Sequence, residues 1–332
     1  MSDTYDVYGI GHALVDIQHK IAVDFLARLK IEKGIMTLVD EERQLELTKA
    51  LREDPIKSAS GGSAANSMIG IAQFGGQAYY AYQVGLDEWG KFYQDDLEKA
   101  GVQSNPTNRV QGPTGKCLVF ITPDADRTLN TFLGVSSNLG PEQIEEDAIA
   151  ASKYIYLEGY LLSSESGFAA CCRAQQLAQK HQTAVSLTLS DPAMVEFCRE
   201  RFERLIEGGV DLLFCNEEEA RALTGETDRK QSGRALATRV ASACITCGAD
   251  GALIYGDNQH FDIPGFQVKA VDTTGAGDMF AGGVLFGLTN GFGFSDAGKL
   301  GSYAAAQVVA RYGPRLEGNL QNEISAILAQ FP

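Results

Sequence analysis

At 332 residues, with 44% hydrophobic and 21% charged side chains, the chain has room for one large α/β domain or two ordinary ones around a sizeable core. Its 28 basic and 43 acidic residues leave a net charge of -15, which argues against nonspecific association with nucleic acid or an anionic membrane surface. Any bound nucleotide would therefore be held by local groups, since the overall field opposes it.

No run approaches the ~18 apolar residues of a membrane span. The opening segment MSDTYDVYGIGHALVDI lacks the basic and then apolar layout of a secretory signal. Seven scattered cysteines (Cys117, Cys171, Cys172, Cys198, Cys215, Cys244 and Cys247) predict reduced thiols in a cytoplasmic protein, not a disulfide framework. Cys244 and Cys247 have CxxC spacing, but within an apolar strand-like run and without a second pair, which favours packing over metal or redox use.

In chain order, the patterns predict a strand over 7–10, a helix over 63–73, a strand over 79–84 and helices over 88–100 and 141–151. A strand over 154–157, a helix over 166–180, a strand over 184–187, a helix over 194–206 and a strand over 212–215 follow. The remainder reads as helices over 217–223 and 231–240, strands over 243–246 and 252–255, and helices over 275–289, 296–311 and 320–330. Such alternation implies a mainly parallel sheet with helices on both faces, which explains strands that are apolar throughout.

Two regions break the rhythm. Residues 17–60 carry short extended pieces over 20–23 and 35–38 before a polar helix near 41–51. Residues 107–133 resemble a hairpin, with arms over 116–122 and 127–133 about the turn Pro123-Asp124-Ala125-Asp126. Neither fits a βα unit, so both are expected to build a small β lid over the C-terminal edge of the main sheet. With no low-complexity linker between them, the chain is expected to form one domain.

The chemistry concentrates at Asp272-Thr273-Thr274-Gly275-Ala276-Gly277-Asp278. This turn follows an apolar segment over 266–271, expected to be extended, and opens a helical run. Unpaired amides at a helix N-terminus, together with the positive end of its dipole, attract phosphate. Asp278 would repel an anion, but its charge makes sense if it removes a proton from a hydroxyl while the amides absorb charge on a transferred phosphoryl group. The turn therefore points to phosphoryl transfer onto an alcohol.

Other positions gain meaning beside it. Gly61 and Gly62 precede small residues and Asn66, a pattern suited either to close ligand approach or to tight helix–sheet packing. Asp16 ends the first strand-like segment, which runs from Tyr5 to Ile10 and on through Gly11 to Asp16, and is either a surface aspartate or, at the C-terminal mouth of that strand, an acceptor for a vicinal diol. Asn216 caps an acidic helix start; Asn216 and Glu219 either serve that helix or organise the waters of Mg²⁺. Thr246 through Gly251 suit a hairpin turn, or a backbone against which a nucleotide lies. The run from Gly9 to Leu14 lacks the third glycine of a dinucleotide fingerprint. The run from Gly112 to Cys117 has the wrong glycine spacing for a phosphate-binding loop, and four dispersed histidines make a histidine metal site unlikely on spacing grounds.

Both glycine clusters, in this order and about two hundred residues apart, resemble the two signatures of the ribokinase-like (PfkB) carbohydrate and nucleoside kinases. Gly11 to Asp16, Pro113 to Cys117 with Asp126 to Leu129, and Leu187 to Phe197 with Val210 to Glu217 are most similar to adenosine kinases, with His12 where Asn is usual. The resemblance implies a three-layer α/β/α sandwich of roughly nine strands with a small β-sheet lid. It also implies ATP and Mg²⁺, and a small-molecule acceptor: a nucleoside, with adenosine converted to AMP, or a sugar such as ribose, fructose or a keto-deoxy sugar acid.

By position, Asp278 would be the base, Gly275, Ala276 and Gly277 the anion hole, and Arg127 the group closing over the phosphates. His12, Leu14, Asp16, Gly61, Gly62 and Asn66 would hold the acceptor, with Phe132, Tyr160 and Phe197 candidates to stack on a base. Asn216 and Glu219 would serve Mg²⁺ through water, while Thr246, Gly248, Gly251 and Thr274 would line the ATP site. Activation by K⁺ would bring the loop 313–317, ending in Glu317, beside Asp272 and Thr274. The resemblance leaves open a monomer or a homodimer paired through the lid.

Overall fold

The computed structural model describes residues 4–124, 126–316 and 318–331; Ala125 of the expected hairpin turn and Glu317 lie outside them. A nine-stranded sheet runs, edge to edge, through Gln259–Pro264, Gly251–Gly256, Ser242–Thr246, Leu212–Asn216, Ala184–Thr188, Ser152–Glu158, Tyr5–Ile10, Ala78–Ala81 and Val102–Gln103. Seven of these are parallel neighbours in sequence of pairing, and the hairpin of Gly251–Gly256 and Gln259–Pro264 adds the two antiparallel strands at one edge. The fold is the ribokinase-like α/β architecture that the resemblance implies.

Burial on both faces explains why the strands read as unbroken apolar runs. Val7, Tyr156, Leu212, Phe214, Cys244 and Ile254 enter one core. Their alternating neighbours Tyr8, Ile155, Leu157, Leu213, Ile245 and Leu253 enter the other. This is the two-residue period of a strand dividing its side chains between two helical layers. All seven cysteines are free; Cys244 and Cys247 fall in different cores, which fits packing.

One pair of helices sets the site. Ala276–Thr289 crosses Ser63–Gln73 at small residues: a Cβ on Gly282 would lie 2.8 Å from the carbonyl of Ser67. Only a bare Cα permits that approach, which brings both helix N-termini to the same mouth of the sheet.

A second sheet of five strands covers that mouth, ordered Met36–Leu38, Arg127–Phe132, Gly115–Ile121, Leu14–Lys20 and Lys57–Gly61. Several boundaries differ from expectation. Asp16 does not extend the first main-sheet strand, which stops at Ile10; it sits within the lid strand Leu14–Lys20, opposite Ala59 and Cys117. The piece expected to be extended over 20–23 is instead where that strand ends and the helix Val23–Arg28 begins. Residues 266–271 join no ladder; the amides of Val271 and Asp272 donate instead to the carbonyl of Val309, at the end of the helix Phe294–Val309.

The helix expected over 194–206 is two, Pro192–Phe197 and Arg199–Glu207. Pro192 starts the first under an Asp191 cap, and the Cys198 thiol between them donates to the carbonyl of Leu162. Regular α-helix occupies only Glu146–Ala150 of 141–151 and Ile324–Leu328 of 320–330.

Candidate active site

Five neighbouring strand ends converge beneath the lid on a cavity of about 860 Å³. Its wall includes His12, Glu158, Thr188, Asn216 and Thr246 from the sheet, Asp16, Leu129 and Leu133 from the lid side, and Thr273 through Asp278 from the anion-binding turn. Openings at the carboxyl ends of parallel strands are where ligands of open α/β sheets bind.

The turn has the geometry its sequence suggests. Gly275 caps the Ala276–Thr289 helix with φ +81°, and a Cβ there would lie 2.6 Å from Cα of Pro314. Glycine is required on both counts. Gly277 is exposed, and a Cβ there would meet nothing within 4 Å, so the backbone at this position has open space beside it. Of the three expected hole residues, Ala276 already donates its amide to the carbonyl of Thr273 at 3.2 Å, within the turn.

Asp278 stands in the first turn of that helix and faces the start of Ser63–Gln73. Ser63 Oγ donates to its Oδ1 at 2.6 Å and Asn66 Nδ2 donates to its Oδ2 at 2.9 Å. Burial pushes the Asp278 carboxyl up to about 6, the two hydrogen bonds opposing the rise. Asp16 is likewise raised to about 6 by burial, with Arg315 and Arg127 pulling it down and Asp278 pushing it up. Room for Asp16 depends on Gly61, whose Cβ would fall 2.5 Å from the Asp16 carboxylate. Gly62, at φ +106°, could carry no Cβ without lying 2.2 Å from the carbonyl of His12.

Sequence reasoning missed Glu158. It ends the strand Ser152–Glu158, is 1% exposed, and accepts from the amides of His12 at 3.2 Å and Ala64 at 2.8 Å. Burial still dominates and raises its carboxyl to about 8. A signal existed: a carboxylate ending an apolar strand, the same reasoning applied to Asp16. Ser63 was also missed, hidden among small residues. His12 is buried and kept neutral, its pKa lowered to about 4, with Nδ1 against Ser136.

Other expected residues divide. Leu14, Asn66, Thr246 and Thr274 line the cavity. Gly248 and Gly251 stay in the hairpin turn, where a Cβ on Gly251 would lie 2.1 Å from the carbonyl of Ile263, so strand packing accounts for that glycine. Tyr160 is in the wall, whereas Phe132 is outside it and Phe197 is 80% exposed. Arg127 is 8% exposed and, instead of facing the cavity, pairs through Nη1 with Asp272 Oδ2 at 2.8 Å.

Asn216 and Glu219 form a reciprocal cap. The Glu219 amide donates to Asn216 Oδ1 at 2.8 Å; Glu219 accepts from the Asn216 amide at 3.0 Å and from its Nδ2 at 2.7 Å. Burial lifts Glu219 to about 7. Each carboxylate oxygen keeps a further lone pair, so the pair fits Mg²⁺ contacted through the ion's own waters. Asp272 fits an additional K⁺ poorly: it already accepts from Arg127, from the amide of Thr274 at 3.1 Å and from that of Gly313 at 3.1 Å.

The sequence profile of the pfkB family carbohydrate kinases matches residues 30–320. Adenosine kinase of Saccharomyces cerevisiae is 27% identical over 330 residues, spanning 92% of this chain and 95% of that protein. A structure described as a "probable sugar kinase protein" from Rhizobium etli CFN 42 superposes with a TM-score of 0.90 at 35% identity, over 98% of this chain and 99% of that one. Adenosine kinase from Sinorhizobium meliloti superposes with a TM-score of 0.89, also at 35% identity and over 98% and 99% of the two chains. The chain belongs to the pfkB family of carbohydrate kinases and is itself a kinase.

Proposed function

We propose that this kinase phosphorylates a primary hydroxyl of a nucleoside, converting adenosine to AMP. The observation that carries the reading is Asp278, held by two donors at the open end of the anion-binding turn, in one cavity with Asp16 and an aliphatic lid wall of Ile35, Met36, Leu38, Leu129 and Leu133. Such a wall suits the apolar faces of a flat base, while Asp16 can accept from both hydroxyls of a ribose diol. The adenosine kinases among its relatives support the same choice.

MgATP, when bound, supplies the phosphoryl group. Asp278 takes the proton of the acceptor hydroxyl as the new O–P bond forms. The amides of Gly275 and Gly277 lie at the positive end of the helix, where they stabilise charge on the transferring group. Asp16 and Asn66 orient the acceptor, and Asn216 with Glu219 would hold Mg²⁺ through the ion's waters. The lid excludes bulk water and brings its apolar wall against the base.

Glu158 favours a second reading, a sugar kinase. A buried carboxyl on the cavity floor would recognise a further hydroxyl that a purine lacks. Within either reading an anionic acceptor is disfavoured: none of the described lining residues is Lys or Arg, while Asp16, Glu158, Glu219 and Asp278 all are acids. Keto-deoxy sugar acids therefore rank below neutral sugars. ADP release is to be measured with adenosine, inosine, guanosine, ribose, fructose and a keto-deoxy sugar acid. The nucleoside reading expects the highest kcat/KM for adenosine; a ribose or fructose optimum would replace it, and no turnover with any acceptor would refute both.

A further inference from the structure

Ser63 belongs to neither glycine signature's expected roles, yet it makes the shortest contact to Asp278, Oγ to Oδ1 at 2.6 Å. The two partners of Asp278 are chemically unequal. Asn66 presents an NH₂ group to Oδ2, and an NH₂ group can only donate. A hydroxyl can donate or accept by rotating about its C–O bond. We propose that Ser63 is the positioning residue of Asp278: its hydroxyl fixes the carboxylate's rotamer and makes Oδ1 the oxygen that receives the acceptor's proton. The inference rests on the reading of Asp278 as base.

The acceptor oxygen forms its bond to phosphorus, the bond from phosphorus to the leaving nucleoside diphosphate breaks, and the acceptor's proton moves to Asp278. Protonation at Oδ2 would set a hydroxyl against the Asn66 NH₂ and cost that hydrogen bond. Protonation at Oδ1 leaves Oδ2 as the carbonyl-type acceptor for Asn66, while Ser63 keeps a hydrogen bond in either direction. Deletion of the Ser63 hydroxyl removes both the tether and the preference between the oxygens.

The surroundings make this hydroxyl important. Asp278 is faced by Asp16 from the lid, Glu158 and Tyr156 from the strand Ser152–Glu158, Tyr160 beyond it, and Glu219 from the helix Glu217–Thr224. Asp16 and Glu219, when ionised, oppose the charged base, whereas burial keeps the Tyr156 and Tyr160 hydroxyls and the Glu158 carboxyl neutral, so none of these neighbours supplies a positive charge to it. Burial already raises Asp278, and Ser63 is first among the groups that lower it again. Without that donor the base becomes harder to ionise, and the acid limb of activity moves to higher pH.

The test compares pH profiles of kcat/KM for the wild-type chain, Ser63→Ala, Ser63→Cys and Ser63→Thr, using the best acceptor of the panel. The acid limb is expected to rise by about one pH unit in Ser63→Ala, as for loss of a hydrogen bond to a charged group. Ser63→Cys, a weaker donor, is expected to fall between, and Ser63→Thr to keep the wild-type limb; KM for ATP should change by less than about twofold. Should Ser63→Ala not fold, Ser63→Cys carries the comparison. An unmoved limb in the folded variants overturns the positioning role, whereas full activity of Asp278→Asn would overturn the assignment of the base itself, so the two failures are distinguishable.

Discussion

Replacement of Asp278 by Asn separates the chemistry of the site from its architecture. The substituted amide can point its oxygen at Asn66 Nδ2 and its NH₂ at Ser63 Oγ, which rotates to accept, so both hydrogen bonds to the residue survive. The fold should be retained, and stability should rise. A carboxyl lifted from 3.8 to about 6 loses free energy when kept ionised at pH 7.5. Two units correspond to at most about 3 kcal/mol, and about 1 kcal/mol after allowance for solvent reaching it through the cavity. For a chain of this size that is a rise of roughly 1–2 °C in Tm. Loss of a positioned base, in contrast, lowers turnover by ~10²–10⁴. Coupled ADP-release kinetics at pH 7.5 and a thermal melt of the same preparation check the two effects together. A kcat within about threefold of wild type would refute the role of Asp278; a variant that is inactive and has lost several degrees would show that the carboxylate is structural.

Other consequences follow from individual contacts. Glu158, ordinarily near 4.5 and raised to about 8, binds its proton more tightly in the folded state, so its contribution to stability is full below pH 4.5 and declines as pH rises through 8. Wild-type Tm should therefore fall between pH 5 and 8 more steeply than that of Glu158→Gln, and equal slopes would contradict the buried, protonated state. Gly275→Ala places a Cβ 2.6 Å from Cα of Pro314 at φ +81°, which should cost about 1–3 kcal/mol in chemical denaturation and lower kcat/KM for ATP at least tenfold. With Arg127 and two amides already on Asp272, replacement of KCl by tetramethylammonium chloride at constant ionic strength should change kcat by less than about twofold. A tenfold loss would show that a monovalent cation acts at the site.

The parts of this protein that were legible from its sequence are those governed by local rules. Apolar strands flanked by amphipathic helices gave the parallel sheet, and the glycine-rich run at 275–277 gave the tight turn that opens a helix. The failures have a common cause. Residues 266–271 have the composition of a strand, but the amides at their end are taken by the carbonyl of Val309, some forty residues further on, a partner that no local pattern shows. Asp16 was close to the right place for a different reason: the chain leaves the main sheet after Ile10, and the lid strand, not the main sheet, presents the carboxylate to the cavity. Ser63 and Arg127 acquire their contacts from partners more than a hundred residues away, Asp278 and Asp272, so no local pattern reveals them.

The same pairing explains how an acidic protein can present an anion-binding turn. Asp272 begins the turn and, left alone, would set a negative charge beside the amides proposed to attract phosphate. Arg127, delivered by the lid strand Arg127–Phe132, neutralises it at 2.8 Å, and the amides of Thr274 and Gly313 spread the remaining charge. The arginine thus makes a favourable electrostatic contribution without a contact to the cavity, and it ties the lid to the turn. Arg127→Met would leave Asp272 buried without its partner, which typically costs 3–5 kcal/mol. Arg127→Met with Asp272→Asn should recover much of that loss, because the uncompensated charge is gone. Chemical denaturation of the two single variants and the double variant gives the coupling directly. Strict additivity would mean that the two side chains touch in the structure but do not act together in solution.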